Sequence, residues 1–163
     1  IRDIVLGLTP PATFKNPVYI SVAIAVSIIL FIPSVRRFLF KKQNAFDKAM
    51  LFMDSVGLGI FTAVGVETAC IAEHRNLFLL VFVGMITGIG GGVLRDILSG
   101  NTPYIFVKHF YASASLIGAL VFIVLWKIFG QSAATLGCAF SVTVLRLLAA
   151  KFRWSLPKAA EDF

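Results

Sequence analysis

Residues 84–100 read GMITGIGGGVLRDILSG and lie within an apolar segment that begins at Leu77. The segment is long enough to cross a bilayer as a helix, which takes about 17–25 residues. It contains three consecutive glycines, 90–92, followed by Arg95 and Asp96. Each glycine costs a helix interior roughly 1 kcal/mol relative to alanine, so we expect the helix to bend or open there. Irregular backbone and charges at membrane depth are tolerated where they line a cavity or are buried in protein, so the stretch indicates a polar pathway.

A second interpretation of the same stretch is helix packing. Gly84, Gly88 and Gly92 are spaced by four residues, so they share one helix face that would allow a neighbouring helix to approach closely. Arg95 and Asp96 would then lie at the membrane interface, with the arginine extending towards water. The spacing is compatible with both interpretations.

The charged part of this stretch occurs twice. The chain opens IRDIVLGLTPPATFKNPVY, and residues 94–111 read LRDILSGNTPYIFVKHFY, with seven identities at a constant offset of 93 residues. The identical pairs are Arg2 and Arg95, Asp3 and Asp96, Ile4 and Ile97, Gly7 and Gly100, Thr9 and Thr102, Pro10 and Pro103, and Lys15 and Lys108. This register indicates an internal duplication. Because the first copy starts at its Arg-Asp pair, we expect that its glycines and the helix before them are missing, so that the chain lacks about two spans by comparison with the second copy.

Composition places the chain among polytopic membrane proteins. Hydrophobic residues make up 58% of the 163 residues and charged residues only 14%, and the mean hydropathy is +0.90. Soluble domains rarely have this balance. The net charge of +7 raises the question of nucleic-acid binding, but the basic residues lie between apolar segments, where they act as topology signals. We therefore expect no nucleic-acid partner.

The residue types that carry catalysis or bind metals are not arranged for either role. Cys70 and Cys138 lie in apolar segments without the spacing of zinc ligands, and His74 and His109 lie in connecting loops. The sequence has no Ser/His/Asp constellation and no phosphate loop of the GxxxxGK type. We expect no enzymatic activity, no metal site and no cofactor.

Hydropathy and proline positions predict five complete spans. Pro33 should end or kink the first of them. The second carries Asp54 and Glu67, which are thirteen positions apart and so lie on roughly opposite helix faces, where they cannot form a carboxylate pair. Asp54 either holds a cationic partner or lines a pathway, or else it lies near the basic membrane surface. The predicted spans are about 17–35, 46–71, 77–98, 111–128 and 132–148.

The distribution of basic residues predicts the orientation. Eleven lie on one side of the predicted spans and four on the other, which places the first side and the C-terminal tail in the cytoplasm. The two Arg-Asp copies then fall on opposite sides of the membrane, as inverted repeats of three spans require. The eleven are Arg36, Arg37, Lys41, Lys42, Lys48, Arg95, Lys108, Arg146, Lys151, Arg153 and Lys158, and the four are Arg2, Lys15, Arg75 and Lys127.

Several motifs together resemble the bacterial branch of the trimeric intracellular cation (TRIC) channel family. They are GGGVLRDIL at 90–98, its partial repeat IRDIVLG at 1–7, the Thr-Pro that follows each, and LRLLAAKFRWSLP at 145–157. The resemblance covers essentially the whole chain and implies two inverted three-helix repeats followed by a seventh helix. A single transmembrane domain would then comprise the rest of the first repeat at 1–43, the second repeat at 44–128, and the final helix and tail at 131–163.

The resemblance also implies a function and a set of residues. Family members form homotrimers in the bacterial inner membrane, with one pore per subunit for monovalent cations, mainly potassium, between glycine-kinked helices. Membrane lipids, including anionic ones, are expected partners. With Asp54 added from the span analysis, the candidate pore or gating residues are Gly90, Gly91, Gly92, Arg95, Asp96, Arg2, Asp3 and Asp54, and the candidate packing residues are Gly84, Gly88 and Gly92.

The charges leave a second function open. Inverted repeats with broken helices and charges near the midplane are also the architecture of secondary transporters, here for a small zwitterion such as glycine. An arginine beside a cation path repels the cation by about 4 kcal/mol at 4 Å and an effective dielectric of 20. Either aspartates offset that charge, or the arginine gates the path or binds an anionic headgroup.

Overall fold

The computed structural model describes residues 2–11, 14, 17–40, 43–72, 76–107, 110–152 and 154. The regular elements within these ranges are helical, as composition predicted. They are α1 (Arg2–Val5), α2 (Val18–Phe31), α3 (Pro33–Phe40), α4 (Gln43–Ile71), α5 (Leu77–Leu98), α6 (Tyr104–Val107), α7 (Ala112–Phe129) and α8 (Gln131–Phe152). Residues given a role above that lie outside the described ranges are Lys15, Lys41, Lys42, His74, Arg75, Lys108, His109, Arg153 and Lys158.

Four of the described helices are long and apolar enough to cross a membrane. They correspond to four of the five predicted spans, and the protein is an all-α polytopic membrane protein. α2 supplies only a shorter apolar helix, Ile20–Phe31. The four candidate spans are Lys48–Ile71, Leu77–Leu98, Ala112–Phe129 and Gln131–Phe152.

The chain divides into two compact units, Ile1–Leu51 and Phe52–Phe163. The first contains α1 to α3 and the start of α4, and the second contains the rest of α4 and α5 to α8. The division into two repeats and a final helix within one transmembrane domain remains a prediction.

In the first unit, Pro33 ends the apolar helix, as predicted. α2 stops at Phe31, Ile32 is extended (φ −66°, ψ 121°), and α3 begins with Pro33 at its first position. A proline disfavours helical geometry in the residue before it, and its missing N–H costs nothing at a helix start. The predicted extension of this span to residue 35 was therefore wrong. Beyond Pro33 the backbone is again helical: α3 extends to Phe40, and α4 starts at Gln43.

The sequence duplication is also visible in the backbone. α1 and α5 end in the same Schellman motif, with Gly7 at φ +70° and Gly100 at φ +69°, a left-handed conformation that glycine adopts without strain. The closing hydrogen bonds run from the N–H of Leu8 to the carbonyl of Asp3 (2.7 Å) and of Gly7 to Ile4 (3.1 Å), and likewise from Asn101 to Asp96 (2.9 Å) and Gly100 to Ile97 (3.0 Å).

In the second unit, α5 is one uninterrupted helix from Leu77 to Leu98. The helix therefore does not open at glycines 90–92, and a bend there remains a prediction. In lipid every backbone N–H and C=O needs a partner, so keeping the helical hydrogen bonds outweighs a propensity cost of about 1 kcal/mol per glycine. The start of α5 is fixed by Asn76, whose Oδ1 accepts a hydrogen bond from the N–H of Phe78 at 2.9 Å.

α7 and α8 form a tight antiparallel hairpin around Gly130, which has φ +79°. The two helices approach closely because Gly118 and Gly137 have no Cβ. A Cβ added at Gly118 would collide with the Val142 side chain, and one added at Gly137 would collide with Leu125. The buried residues of α8 recur almost every fourth position and therefore share one helix face, which lies in the core of this unit. These residues are Ala134, Cys138, Val142, Arg146 and Ala149.

The predicted orientation can be tested with single cysteines in a background where Cys70 and Cys138 are replaced by alanine. Asn76 precedes α5 and Gln43 starts α4, so the two positions lie at opposite ends of one span. We expect an impermeant thiol reagent to label Asn76→Cys from outside intact cells and to label Gln43→Cys only after the cells are opened. The reverse pattern would invert the topology.

Candidate functional site

Charged side chains from three helices meet in the second unit. Arg95 of α5 donates from Nη1 to Oδ1 of Asp54 on α4 at 2.7 Å, and Arg146 of α8 donates from Nη2 to Oδ2 of the same carboxylate at 3.1 Å. Arg95 also donates from Nε to Oδ1 of its neighbour Asp96 at 2.9 Å. We call Asp54, Arg95, Asp96 and Arg146 the charge cluster; two guanidinium and two carboxylate groups make it electrically neutral.

The members of the charge cluster differ in exposure. The side chains of Asp54 and Asp96 are each 9% exposed and that of Arg146 is 4% exposed, whereas that of Arg95 is 37% exposed. Removing an ion from water costs several kcal/mol, which only close opposite charges and hydrogen bonds offset. The buried members are therefore held as pairs, and Arg95 is the member that other molecules can reach.

Tyr111, the residue before α7, fixes the plane of the buried arginine. The Arg146 guanidinium carbon lies 4.6 Å from the centroid of the Tyr111 ring, within the range of a cation–π interaction. Tyr111 itself is 2% exposed. Within the described part of the chain, Nε of Arg146 is buried without a hydrogen-bond acceptor, which costs roughly 1–3 kcal/mol. This geometry holds Arg146 in place at some expense in stability.

Three glycines of α5 lie against neighbouring helices, as the packing interpretation expects of their spacing. A Cβ at any of them would overlap an atom of α4 or of the Tyr111 side chain. The atoms met first are the Val66 side chain at Gly84, the Thr62 hydroxyl at Gly88 and the Tyr111 hydroxyl at Gly92. The Thr62 hydroxyl also hydrogen-bonds Ser115 Oγ of α7 at 2.7 Å, so a buried polar contact joins α4 and α7 beside Gly88.

Gly90 and Gly91 have different surroundings. A Cβ at either position would meet no atom of the described residues within 4 Å. The structure thus separates two groups of glycines that the sequence presents as one: those spaced by four pack against neighbours, and these two leave open space beside the helix. Gly91 is four residues before Arg95 and shares its helix face.

The structure brings three of the predicted site residues together and shows the first-repeat pair separately. Asp54, Arg95 and Asp96 lie in the charge cluster. In the first unit, Arg2 donates from Nε to Oδ1 of Asp3 at 2.7 Å, and Asp3 is buried like its counterpart Asp96. Both copies therefore form the same neighbouring ion pair.

Glu67 lies away from the charge cluster. It accepts a hydrogen bond from Nε2 of Gln131, at the start of α8. Thirteen residues of helix separate it from Asp54, which is about 20 Å at 1.5 Å per residue. The prediction that these acids do not form a carboxylate pair is confirmed.

Arg146 is the functional candidate that sequence reasoning missed. It was counted only as a topology charge near the end of a span. The available signal was its position in an apolar helix, six residues before Phe152, because an ionisable residue inside a span is by default a functional candidate. Its partner Asp54 is 92 residues away in sequence and could not be identified from spacing.

Comparison with known proteins agrees with the fold and the motifs. The family model described as "Glycine transporter" matches residues 51–127. The UPF0126 inner membrane protein YadS of Escherichia coli (strain K12) is 33% identical over 157 residues, which is 96% of this chain and 72% of YadS.

Solved structures of channels share the fold. One that describes the structural basis for conductance through TRIC cation channels is 31% identical, with a TM-score of 0.75 over 99% of this chain and 77% of that one. The TRIC trimeric intracellular cation channel orthologue from Rhodobacter sphaeroides is 28% identical, with a TM-score of 0.77 over 94% of this chain and 76% of that one. The chain belongs to the UPF0126 family of bacterial membrane proteins, the bacterial branch of the TRIC family.

Proposed function

We propose that this protein is a channel for monovalent cations, with potassium as the main ion, and that it works as a homotrimer with one pore per subunit in the bacterial inner membrane. The observation that carries the proposal is the charge cluster, which places paired charges from three helices inside an apolar bundle. Ionisable groups at such positions mark ion pathways. The similarity to solved TRIC cation channels and to a protein described as trimeric supports the ion class and the assembly.

The arrangement of charges removes the objection to an arginine beside a cation path. Arg95 is bonded to both Asp54 and Asp96, whose negative charges offset its own within 3 Å. A passing cation therefore meets a neutral group with two carboxylates rather than an isolated positive charge. The cluster accommodates a cation without requiring Arg95 to leave.

We propose that the path follows the side of α5 that carries Gly91 and Arg95. Gly90 and Gly91 have no side chains, and the open space beside them gives a hydrated ion access to the helix backbone. Asp96 and Asp54 supply negative charge near the end of this face. The Arg2–Asp3 pair plays the corresponding role in its own repeat.

A second candidate function is transport of a small zwitterion, glycine in particular. The observation in its favour is the "Glycine transporter" family model, whose match at 51–127 includes Asp54, Arg95 and Asp96. A guanidinium binds a substrate carboxylate, and an aspartate binds a substrate ammonium. The same residues would then form a substrate site.

Flux measurements on the purified protein in liposomes distinguish the two functions. A channel should give potassium flux and reversal potentials set only by the ion gradients, without saturation by glycine. A transporter should accumulate labelled glycine by counterflow against preloaded unlabelled glycine and saturate. Counterflow without ionic current would reject the channel proposal, and protein-free liposomes provide the baseline.

A further inference from the structure

The charge cluster is balanced only by the final helix. The helices of the predicted second repeat contribute two carboxylates, Asp54 and Asp96, but a single guanidinium, Arg95. Left to themselves they would carry one net negative charge. Arg146 on α8, outside that repeat, supplies the second positive charge.

We propose that Arg146 is a positioning and specificity-determining residue, which sets the net charge of the cluster to zero and orients Asp54 towards Arg95. This inference rests on the proposed channel function. Each oxygen of Asp54 has its own arginine: Oδ2 is bonded to Arg146 and Oδ1 to Arg95. With Oδ2 held by the buried Arg146, Oδ1 stays directed at Arg95, the more exposed arginine of the cluster.

The burial of Arg146 indicates that it acts through Asp54 and not on the ion. Its side chain is 4% exposed, against 37% for Arg95, so a passing ion meets Arg95 first. The Tyr111 ring covers one face of the Arg146 guanidinium at 4.6 Å. The two arginines thus have separate roles: one is accessible, and the other fixes the charge and geometry behind it.

Stability alone does not account for an arginine at this position. Apolar residues that replace a buried ion pair often leave a protein equally or more stable, and Nε of Arg146 has no acceptor among the described residues. A buried charge that is poorly satisfied is better explained by the electrostatic field it creates. Such a field should change the selectivity of the protein between cations and anions.

A series of charge variants of the full-length protein tests the inference through the potassium-to-chloride permeability ratio, measured from reversal potentials under a KCl gradient in planar bilayers. Arg146→Gln gives the cluster one net negative charge and Asp54→Asn one net positive charge. The double variant and Arg146→Lys both keep it neutral. We expect the ratio to rise roughly threefold or more in Arg146→Gln at about 10 mM salt, to fall in Asp54→Asn, and to return towards the wild-type value in the double variant. The change should shrink at about 1 M salt, where the Debye length falls from about 30 Å to about 3 Å.

The matched control is Lys151→Gln, which removes the same charge from an exposed position farther along α8 and should leave the ratio unchanged. If Arg146 had only a structural role, the permeability ratio of the double variant would depart from the wild-type value at least as much as that of either single variant. That result would overturn the inference. An unchanged ratio in Arg146→Gln would also overturn it.

If the single variants do not fold, the neutral double variant and Arg146→Lys decide the question. Wild-type selectivity in both supports the inference, and lost selectivity in either overturns it. Absence of current in the wild-type protein would instead overturn the channel function together with this inference.

Discussion

Under the proposed channel function, Arg95→Ala is expected to raise potassium conductance about three- to tenfold while leaving the protein folded. The substitution removes the exposed positive charge beside the proposed path and leaves the charge cluster with one net negative charge, which attracts cations. A three- to tenfold change corresponds to a barrier lower by about 0.7–1.4 kcal/mol, and it should shrink as salt screens the charge. Loss of the bonds from Arg95 to Asp54 and Asp96 should lower the free energy of unfolding. The fold should nevertheless survive, because Asp54 keeps its bond to Arg146 and the contacts of Gly84, Gly88 and Gly92 do not involve Arg95. Single-channel recording in planar bilayers measures the conductance, and size-exclusion chromatography beside the wild type verifies that the variant stays folded in the same assembly.

Arg95→Lys separates charge from geometry. Lysine keeps the charge but lacks the planar fork with which Arg95 reaches Asp54 and Asp96 together. We therefore expect nearly wild-type conductance with an altered open probability. Leu94→Ala is the control, because Leu94 is the 54% exposed neighbour of Arg95 on α5. Wild-type conductance and open probability in both Arg95 variants would remove Arg95 from the path and leave glycine packing as the account of the motif.

Gly88→Ala is expected to destabilise the second unit by about 1–3 kcal/mol, the range for overpacking a tight interior. The added Cβ would collide with the Thr62 hydroxyl and lie 3.1 Å from both the Leu58 carbonyl oxygen and Ser115 Oγ. The Leu58 atom belongs to the backbone, so α4 and α5 would have to move apart, and the Thr62–Ser115 hydrogen bond would be strained. The loss should appear as a lower midpoint of thermal unfolding in detergent.

Gly90→Ala is the matched comparison for stability, two residues away on the same helix. No described atom lies within 4 Å of its added Cβ, and alanine favours a helix by about 1 kcal/mol over glycine. We expect Gly90→Ala to unfold at the same temperature as the wild type or higher. Equal losses in the two variants would contradict the assignment of Gly88 to packing and of Gly90 to open space.

Predictions that depend on local sequence largely agreed with the structure. The apolar segments gave most of the spans, because length and hydropathy decide membrane crossing regardless of neighbours. Pro33 ended its helix, because its ring restricts the residue before it. The duplication at an offset of 93 residues reappeared as two identical glycine caps, because such a cap is built from hydrogen bonds within six consecutive residues. These features are set by chemistry that a short stretch of chain contains.

What the sequence by itself determined is therefore the all-α membrane fold, the approximate spans, the repeat and the family. The tertiary structure decided which side chains meet: it paired Arg146 with Asp54, kept α5 helical through Gly90–Gly92, and separated the packed glycines from the two beside open space. Helical periodicity assigns each residue to a face of its own helix, but it does not tell which face of another helix lies opposite. Contacts between residues 92 positions apart depend on how the helices cross, and only their packing fixes that.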